Sequence, residues 1–203
     1  MTAIYLGAAM RDWILRLVKD RQGVAVVEFA LIVPFLLIFY FLSMEVSQAI
    51  ENNKKVSRIG SMVADLVAQN ADVTPAELDA IMQIGSAVLQ PYGRSAPRIA
   101  VTGIYLTDEA TPKAQVVWSR KMANGVFSRA ALKGTVTSVP TALKIRDTFI
   151  VRVESELDYR PVIAWSADGK AAMGLAAAFD NINMSETYYL RPRMSSDVQC
   201  ASC

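Results

Sequence analysis

The apolar positions of this chain are concentrated in one stretch near its start. Between Gly23 and Met44 the only interruptions are Glu28, Pro34 and Ser43. A run of roughly 20 apolar residues is long enough to cross the hydrocarbon core of a bilayer as a helix. A proline is tolerated in such a helix, usually with a kink. The pattern therefore predicts a transmembrane helix.

The spacing of the apolar residues changes after Met44. Apolar residues now recur every three or four positions, with charged and amide side chains such as Asn52 between them, at Ala49, Val56, Ile59, Val63 and Leu66. This spacing is typical of an amphipathic helix that packs on a globular domain. We expect one helix over residues 24–69; the alternative is a break near Asn52 and Asn53 followed by a second helix.

A second helix is predicted by its start signal. Thr74 is a good N-cap, Pro75 suits the first helical position, and Glu77 completes a capping box. An apolar stripe continues to about Leu89, and the following residues, Pro91, Tyr92 and Gly93, end the helix.

Alternating, β-branched and aromatic residues predict about four antiparallel strands, over residues 98–106, 114–119, 147–159 and 186–193. The segment 120–132 is expected to be helical or irregular, 133–140 to be loop, and 165–178 has no clear form. The predicted fold class is α+β: a long N-terminal transmembrane helix that continues into a helix packed on a small antiparallel sheet.

Composition excludes several functions. The chain has no histidine, which removes most catalytic triads and most zinc sites. It contains no glycine-rich phosphate loop and no calcium-loop motif, so no cofactor and no small-molecule substrate are expected. Lys and Arg number 21 against 19 Asp and Glu, a balance that gives no electrostatic case for nucleic acid. We therefore do not expect an enzyme.

The two cysteines, Cys200 and Cys203, lie at the end of the sequence. Two cysteines alone cannot complete a tetrahedral zinc site. A disulfide in an oxidising compartment is one interpretation, and a reduced pair without a catalytic role is the other.

Two further clusters have a functional and a structural interpretation. The carboxylates of Glu154, Glu156 and Asp158 alternate on one strand face, as a weak cation site or, the favoured interpretation, as a solvated acidic face. Four aromatic residues either line a binding groove or, as is commoner, pack in the core and across strands: Trp118, Trp165, Tyr188 and Tyr189.

The segment before the apolar stretch is short and basic. Its charges predict a cytoplasmic N-terminus, with Arg11, Arg16, Lys19 and Arg21 as the basic residues. A cleaved secretory signal is disfavoured, because the apolar run is too long and no small-residue cleavage site follows it. Within the run, a carboxylate such as Glu28 costs a few kcal/mol unless it is paired, reaches the headgroups or is protonated.

The string from Gly23 to Phe29, GVAVVEF, resembles the processing site of type IV prepilins. With Pro34 it is most similar to the TadE-like family of the tight-adherence (Tad/Flp) pilus system. The resemblance implies cleavage by a prepilin peptidase between Gly23 and Val24. Glu28 and Phe29 would then be the fifth and sixth mature residues, and Glu28 would pair with an α-amino group during assembly.

The resemblance implies a pilin-like fold and a structural role as a pseudopilin, a minor component needed for pilus assembly. Its partners would be the prepilin peptidase, other pilus assembly proteins and pilins, and membrane lipid. We expect a single-pass protein of the bacterial inner membrane with four parts: a cytoplasmic leader, a transmembrane helix, its extramembrane continuation and a periplasmic head, at residues 1–23, 24–44, 45–69 and 70–203. The alternative is an uncleaved inner-membrane scaffold or binding protein.

Overall fold

The computed structural model describes residues 24–90, 95–161 and 182–203. Within these residues, two helices and six strands follow one another. They are α1 (Val24–Ala68), α2 (Pro75–Ala87), β1 (Arg98–Leu106), β2 (Ala114–Ala123), β3 (Val126–Ser128), β4 (Val136–Thr137), β5 (Thr148–Tyr159) and β6 (Ile182–Leu190). A 3-10 turn at Thr141–Leu143 precedes β5. The order confirms the predicted α+β class.

Helix α1 is continuous over 45 residues and includes Pro34. The single helix that the sequence predicts is therefore confirmed, and the alternative break near Asn52 and Asn53 is wrong. The chain divides between Val46 and Ser47 into two compact units, so α1 contributes to both.

In the second unit, the C-terminal half of α1 supplies one side of the main hydrophobic core. Val56, Ile59, Val63 and Val67 have at most 1% of their surface exposed. They recur at the three-four spacing that brings side chains onto one face of a helix. Asn52, one of the polar residues between the apolar positions, is also buried, with 3% of its surface exposed.

Helix α2 begins as predicted. The Thr74 side chain accepts a hydrogen bond from the Glu77 backbone N–H, and the Glu77 carboxylate accepts one from the Thr74 backbone N–H at 2.8 Å. This reciprocal capping box satisfies two backbone donors that a helix start leaves unpaired. The proposed stop at residues 91–93 lies outside the described residues.

The strands form one antiparallel sheet in the order β3-β2-β1-β5-β6, with β4 also pairing with β2. Alternation divides the side chains of the sheet between two faces. One face joins the α1 core through residues such as Val101, Trp118 and Val153. At one end of the other face lies a smaller apolar cluster, formed by Ile104, Leu106, Ala114, Val139 and Ile150.

The prediction of a helical or irregular segment at 120–132 is wrong over residues 120–128, whereas residues 129–132 are irregular as predicted. Residues 120–123 continue β2, and the chain returns as β3 after a tight turn. Asn124 and Gly125 have φ values of 52° and 74°, the left-handed conformation that a two-residue hairpin of the Asn-Gly type requires. The described sheet has six strands rather than about four, because β3 and β4 are too short to show alternation. The last strand begins at Ile182, four residues before the predicted start.

Two glycines permit close packing in the second unit. A Cβ atom at Gly60 of α1 would lie 2.7 Å from the ring of Tyr188 on β6. A Cβ atom at Gly103 of β1 would lie 2.5 Å from the indole of Trp118. These contacts leave no room for a methyl group, so both positions bring backbone directly against an aromatic ring.

Candidate functional site in the N-terminal half of the long helix

The residues of the predicted processing signal fall at the start of α1. Gly23 lies outside the described residues, and Val24 is the first residue of the helix. Glu28 and Phe29 lie in the second turn, both exposed. Because Glu28 follows Val24 by four positions, the two residues share one face of the helix. A positive group at Val24 would therefore be one helical turn from the carboxylate.

The large apolar side chains of this half of α1 are exposed. Phe29, Phe39 and Tyr40 have 67%, 67% and 63% of their surface exposed. The helix over residues 25–68 is long and apolar enough to cross a membrane, and its most apolar window is not buried in the structure. Such a surface is unstable in water, and it fits a protein anchored in a membrane.

Glu28 is the one acidic residue between Ala25 and Ser43. Within the described part of the chain, no ion pair involves it. A carboxylate on an apolar helix is chemically suited to receive a cation from another chain or from a new N-terminus, because pairing offsets the cost of removing it from water.

The first half of α1 is thus apolar and exposed and carries a single carboxylate near its start. Residues 23–58 match the model of the TadE-like protein family. The match confirms the resemblance inferred from the N-terminal motif. We call these residues the TadE-like segment. The segment ends within α1 and includes no strand of the sheet, and no curated protein or solved structure matches the chain.

Outside the TadE-like segment, two of the three clustered carboxylates of β5 are paired with an arginine of β1, and the third, Glu154, lies 3.5 Å from Arg152 on its own strand. The Arg98 guanidinium contacts the carboxylates of Glu156 at 3.0 Å and Asp158 at 2.5 Å. The Arg98 hydrogen bonds lower the pKa of the Asp158 carboxyl, with a smaller contribution from Asn183. The described residues contain no group of three potential metal ligands. The outcome is an ion-pair ladder across two strands rather than a cation site.

The aromatic residues outside the TadE-like segment are mostly part of the packing. Trp118 is 2% exposed in the core. Tyr188 packs against the same core, and Tyr189 packs against the smaller cluster. Trp165 lies outside the described residues. The structure thus brings three of the four aromatic residues into the two hydrophobic clusters.

The cysteines are joined to each other. Cys200 and Cys203 form a disulfide across a terminal turn, and both pack against the main core. The intervening Ala201 and Ser202 are exposed. The terminal turn is therefore part of the packing of the second unit.

One basic surface of the sheet was not predicted from the sequence. The stretch 110–146 has seven basic and no acidic residues, and it forms the β2 edge with β3, β4 and the loop between them. Val126, Leu132 and Val136 are exposed there by 66–68%, beside the exposed Arg129 and Lys133. We call this surface the basic edge. Its signal was available in the local charge count, but the near-neutral total charge concealed it.

Buried side chains hold the basic edge in place. The Ser119 hydroxyl donates to the Ala131 carbonyl at 2.7 Å and accepts from the Ala131 N–H at 2.8 Å. The Arg152 guanidinium donates to the Thr137 hydroxyl at 2.9 Å. A loop that is fixed in this way presents its exposed side chains without a large ordering cost on binding.

Proposed function

We propose that this protein is a minor structural component of a Tad-type pilus system, with a structural rather than a catalytic role. The observation that carries the proposal is the TadE-like segment, in which an exposed apolar helix begins beside the motif of Gly23, Val24 and Glu28. In the proposed arrangement, residues 24–44 anchor the protein in the inner membrane. Residues 1–23 are a cytoplasmic leader, 45–69 continue the helix outside the membrane, and 70–203 form a periplasmic head.

Processing is the second part of the proposal. A prepilin peptidase would cut between Gly23 and Val24 and leave a free α-amino group, which is charged near neutral pH. Glu28, one turn further along, would then pair with such a group in its own chain or in a neighbouring subunit. This pairing would offset the cost of a carboxylate in the membrane and would fix the relative height of adjacent helices. Phe29, on the following position, would pack in the same interface.

The test of processing is the intact mass and N-terminal sequence of the protein extracted from its native membranes. We expect Val24 as the N-terminus in the wild type and a retained leader in Gly23→Ala. Glu28→Ala should still insert into the membrane but should lower the yield of assembled pili. A full-length wild-type chain in cells with active peptidase would overturn the processing proposal and favour the uncleaved scaffold.

We further propose that the basic edge is where the head meets other pilus assembly proteins. Of its seven basic residues, Lys113 pairs with Glu109 and Arg120 pairs with Asp79. The exposed Arg129 and Lys133 make no ion pair within the described residues, so they suit a carboxylate-rich partner surface, and the exposed aliphatic side chains add apolar contact area.

Arg129→Glu combined with Lys133→Glu should lower pilus yield while leaving the N-terminus and thermal stability unchanged. Arg160→Glu combined with Arg191→Glu reverses two exposed charges outside the TadE-like segment and the basic edge and is the matched control. Equal pilus yields in both variants and the wild type would contradict this assignment.

A further inference from the structure

The last residues of the chain, 191–203, cross the end of α1 and the connection to α2. We call them the C-terminal strap. The Arg193 backbone N–H donates to the Ala68 carbonyl at 2.9 Å, which satisfies a carbonyl that the end of α1 leaves free. The Arg193 side chain also contacts the carboxylate of Asp65. The strap thus begins as a cap on the longest helix.

Further along, the strap becomes part of the core. Val198 is completely buried, and its carbonyl accepts a hydrogen bond from the Trp118 indole N–H at 2.6 Å. A buried indole N–H needs an acceptor, and here the acceptor comes from the strap. Displacement of the strap would open the core beside Trp118 and leave the indole N–H unpaired.

The next residue fixes the strap to the connection between the helices. The Gln199 N–H donates to the Ala71 carbonyl at 3.0 Å, and the Val73 N–H donates to the Gln199 carbonyl at 2.8 Å. Immediately after these bonds, Cys200 begins the turn that the disulfide closes. The covalent link therefore lies one residue beyond the buried hydrogen bonds and fixes the turn that follows them.

We propose that Cys200 and Cys203 form a thiol–disulfide exchange site whose oxidation closes the terminal turn of the C-terminal strap and so stabilises the packing of the strap against the main core. The reaction partner is a protein or small-molecule disulfide in an oxidising compartment. The proposal requires that compartment but does not require a pilus role. Cys200 and Cys203 are half-buried, and the two residues between them, Ala201 and Ser202, are exposed, so the turn lies at the surface of the second unit.

The exchange is balanced as follows. One cysteine thiolate attacks a sulfur of the oxidant's disulfide, forms a mixed disulfide and releases the other sulfur as a thiol. The second cysteine then attacks the first, the Cys200–Cys203 bond forms, and the mixed disulfide breaks. Two electrons and two protons pass from the cysteine thiols to the oxidant, which leaves as a dithiol or as two thiols. Reduction by a dithiol reverses the same steps and opens the terminal turn, which weakens the packing of the strap.

The test is limited trypsin digestion of the full chain in detergent micelles. The Arg193–Met194 bond reports on the strap, and the bond after Lys133 in the basic edge reports on the rest of the head. Reduction with dithiothreitol should raise the cleavage rate after Arg193 at least tenfold and leave the rate after Lys133 unchanged. Glutathione disulfide added after removal of dithiothreitol should restore protection.

The double variant Cys200→Ser, Cys203→Ser should digest like the reduced chain and should not respond to glutathione disulfide. Ser202→Ala, in the same turn, is the matched control and should behave like the wild type. Three results would overturn the proposal: unchanged cleavage after Arg193 in chains whose thiols are shown to be free, an equal increase at both bonds, or failure of glutathione disulfide to reform the bond. An equal increase would indicate general destabilisation instead of strap release.

Discussion

Both halves of α1 are helical, but they differ in how far their apolar side chains are exposed. In the first half, Phe29, Phe35 and Phe39 are 61–67% exposed. In the second half, Ile59 and Val63 are completely buried. The first half is apolar on all sides, whereas the second half is apolar on one stripe. The distribution of apolar residues around the helix, rather than their number, therefore distinguishes a helix suited to lipid from a helix suited to a protein core.

The largest difference between the halves is expected from matched truncations. Ile59→Ala removes a fully buried side chain and should lower the free energy of unfolding of the head by about 2–5 kcal/mol. Ile32→Ala, at a side chain that is 54% exposed, should change it by less than about 0.5 kcal/mol. Denaturant unfolding of the full chain in micelles, followed by near-UV circular dichroism, measures both. Similar losses of unfolding free energy in the two variants would contradict the difference in burial between the two halves of α1.

A smaller effect is expected at Gly60. Glycine to alanine in an exposed helix is stabilising by about 1 kcal/mol, but here the added methyl group would collide with Tyr188 at 2.7 Å and the Ser155 hydroxyl at 2.9 Å. Gly60→Ala should therefore destabilise the head by about 1–3 kcal/mol. Ser61→Ala, at the next position, is the control and should be close to neutral. A more stable Gly60→Ala protein would mean that α1 does not pack this closely on β6.

The smallest expected effect is the loss of folding stability at low pH, and it should be confined to the head. The pKa of the Asp158 carboxyl is lowered mainly because Arg98 donates to it. A lowered folded-state pKa adds stability that is present above the ordinary carboxyl pKa of about 4 and is lost as the pH falls through the folded-state value. Because the pair is exposed, the effect should be modest and should weaken with salt.

Arg98→Gln should flatten the acid side of the head's stability profile, whereas Arg129→Gln should leave it unchanged. An acid limb with the wild-type slope in Arg98→Gln would show that other carboxylates control it.

Local signals predicted much of the fold. The capping box of Thr74 and Glu77 depends on residues three positions apart, so the start of α2 could be predicted directly. The bounds of β1 match the prediction, and those of β5 differ by one residue at its start. The first strand was visible from its β-branched and aromatic residues, and the second from its alternation. The Asn124-Gly125 turn was also visible in the sequence, but the segment around it was misinterpreted.

Other features depend on contacts between distant residues. The two-residue β4 exists because it pairs with β2, and nothing in its own sequence indicates a strand. Asn52 is buried although its neighbours in sequence are polar. The C-terminal strap reaches Trp118 across 80 positions, which no local pattern indicates. The motif from Gly23 to Phe29, in contrast, was found because its residues lie within one short segment.

The most direct test of the account compares the two halves of α1 in a bilayer. A nitroxide label would be placed at Leu36→Cys in one protein and at Arg58→Cys in another, without reductant so that Cys200 and Cys203 stay joined. Collision rates with oxygen and with a polar nickel complex are then measured in reconstituted vesicles. We predict that position 36 collides with oxygen and is shielded from nickel, and that position 58 is open to nickel. Free access of nickel to position 36 would contradict a membrane-spanning first half.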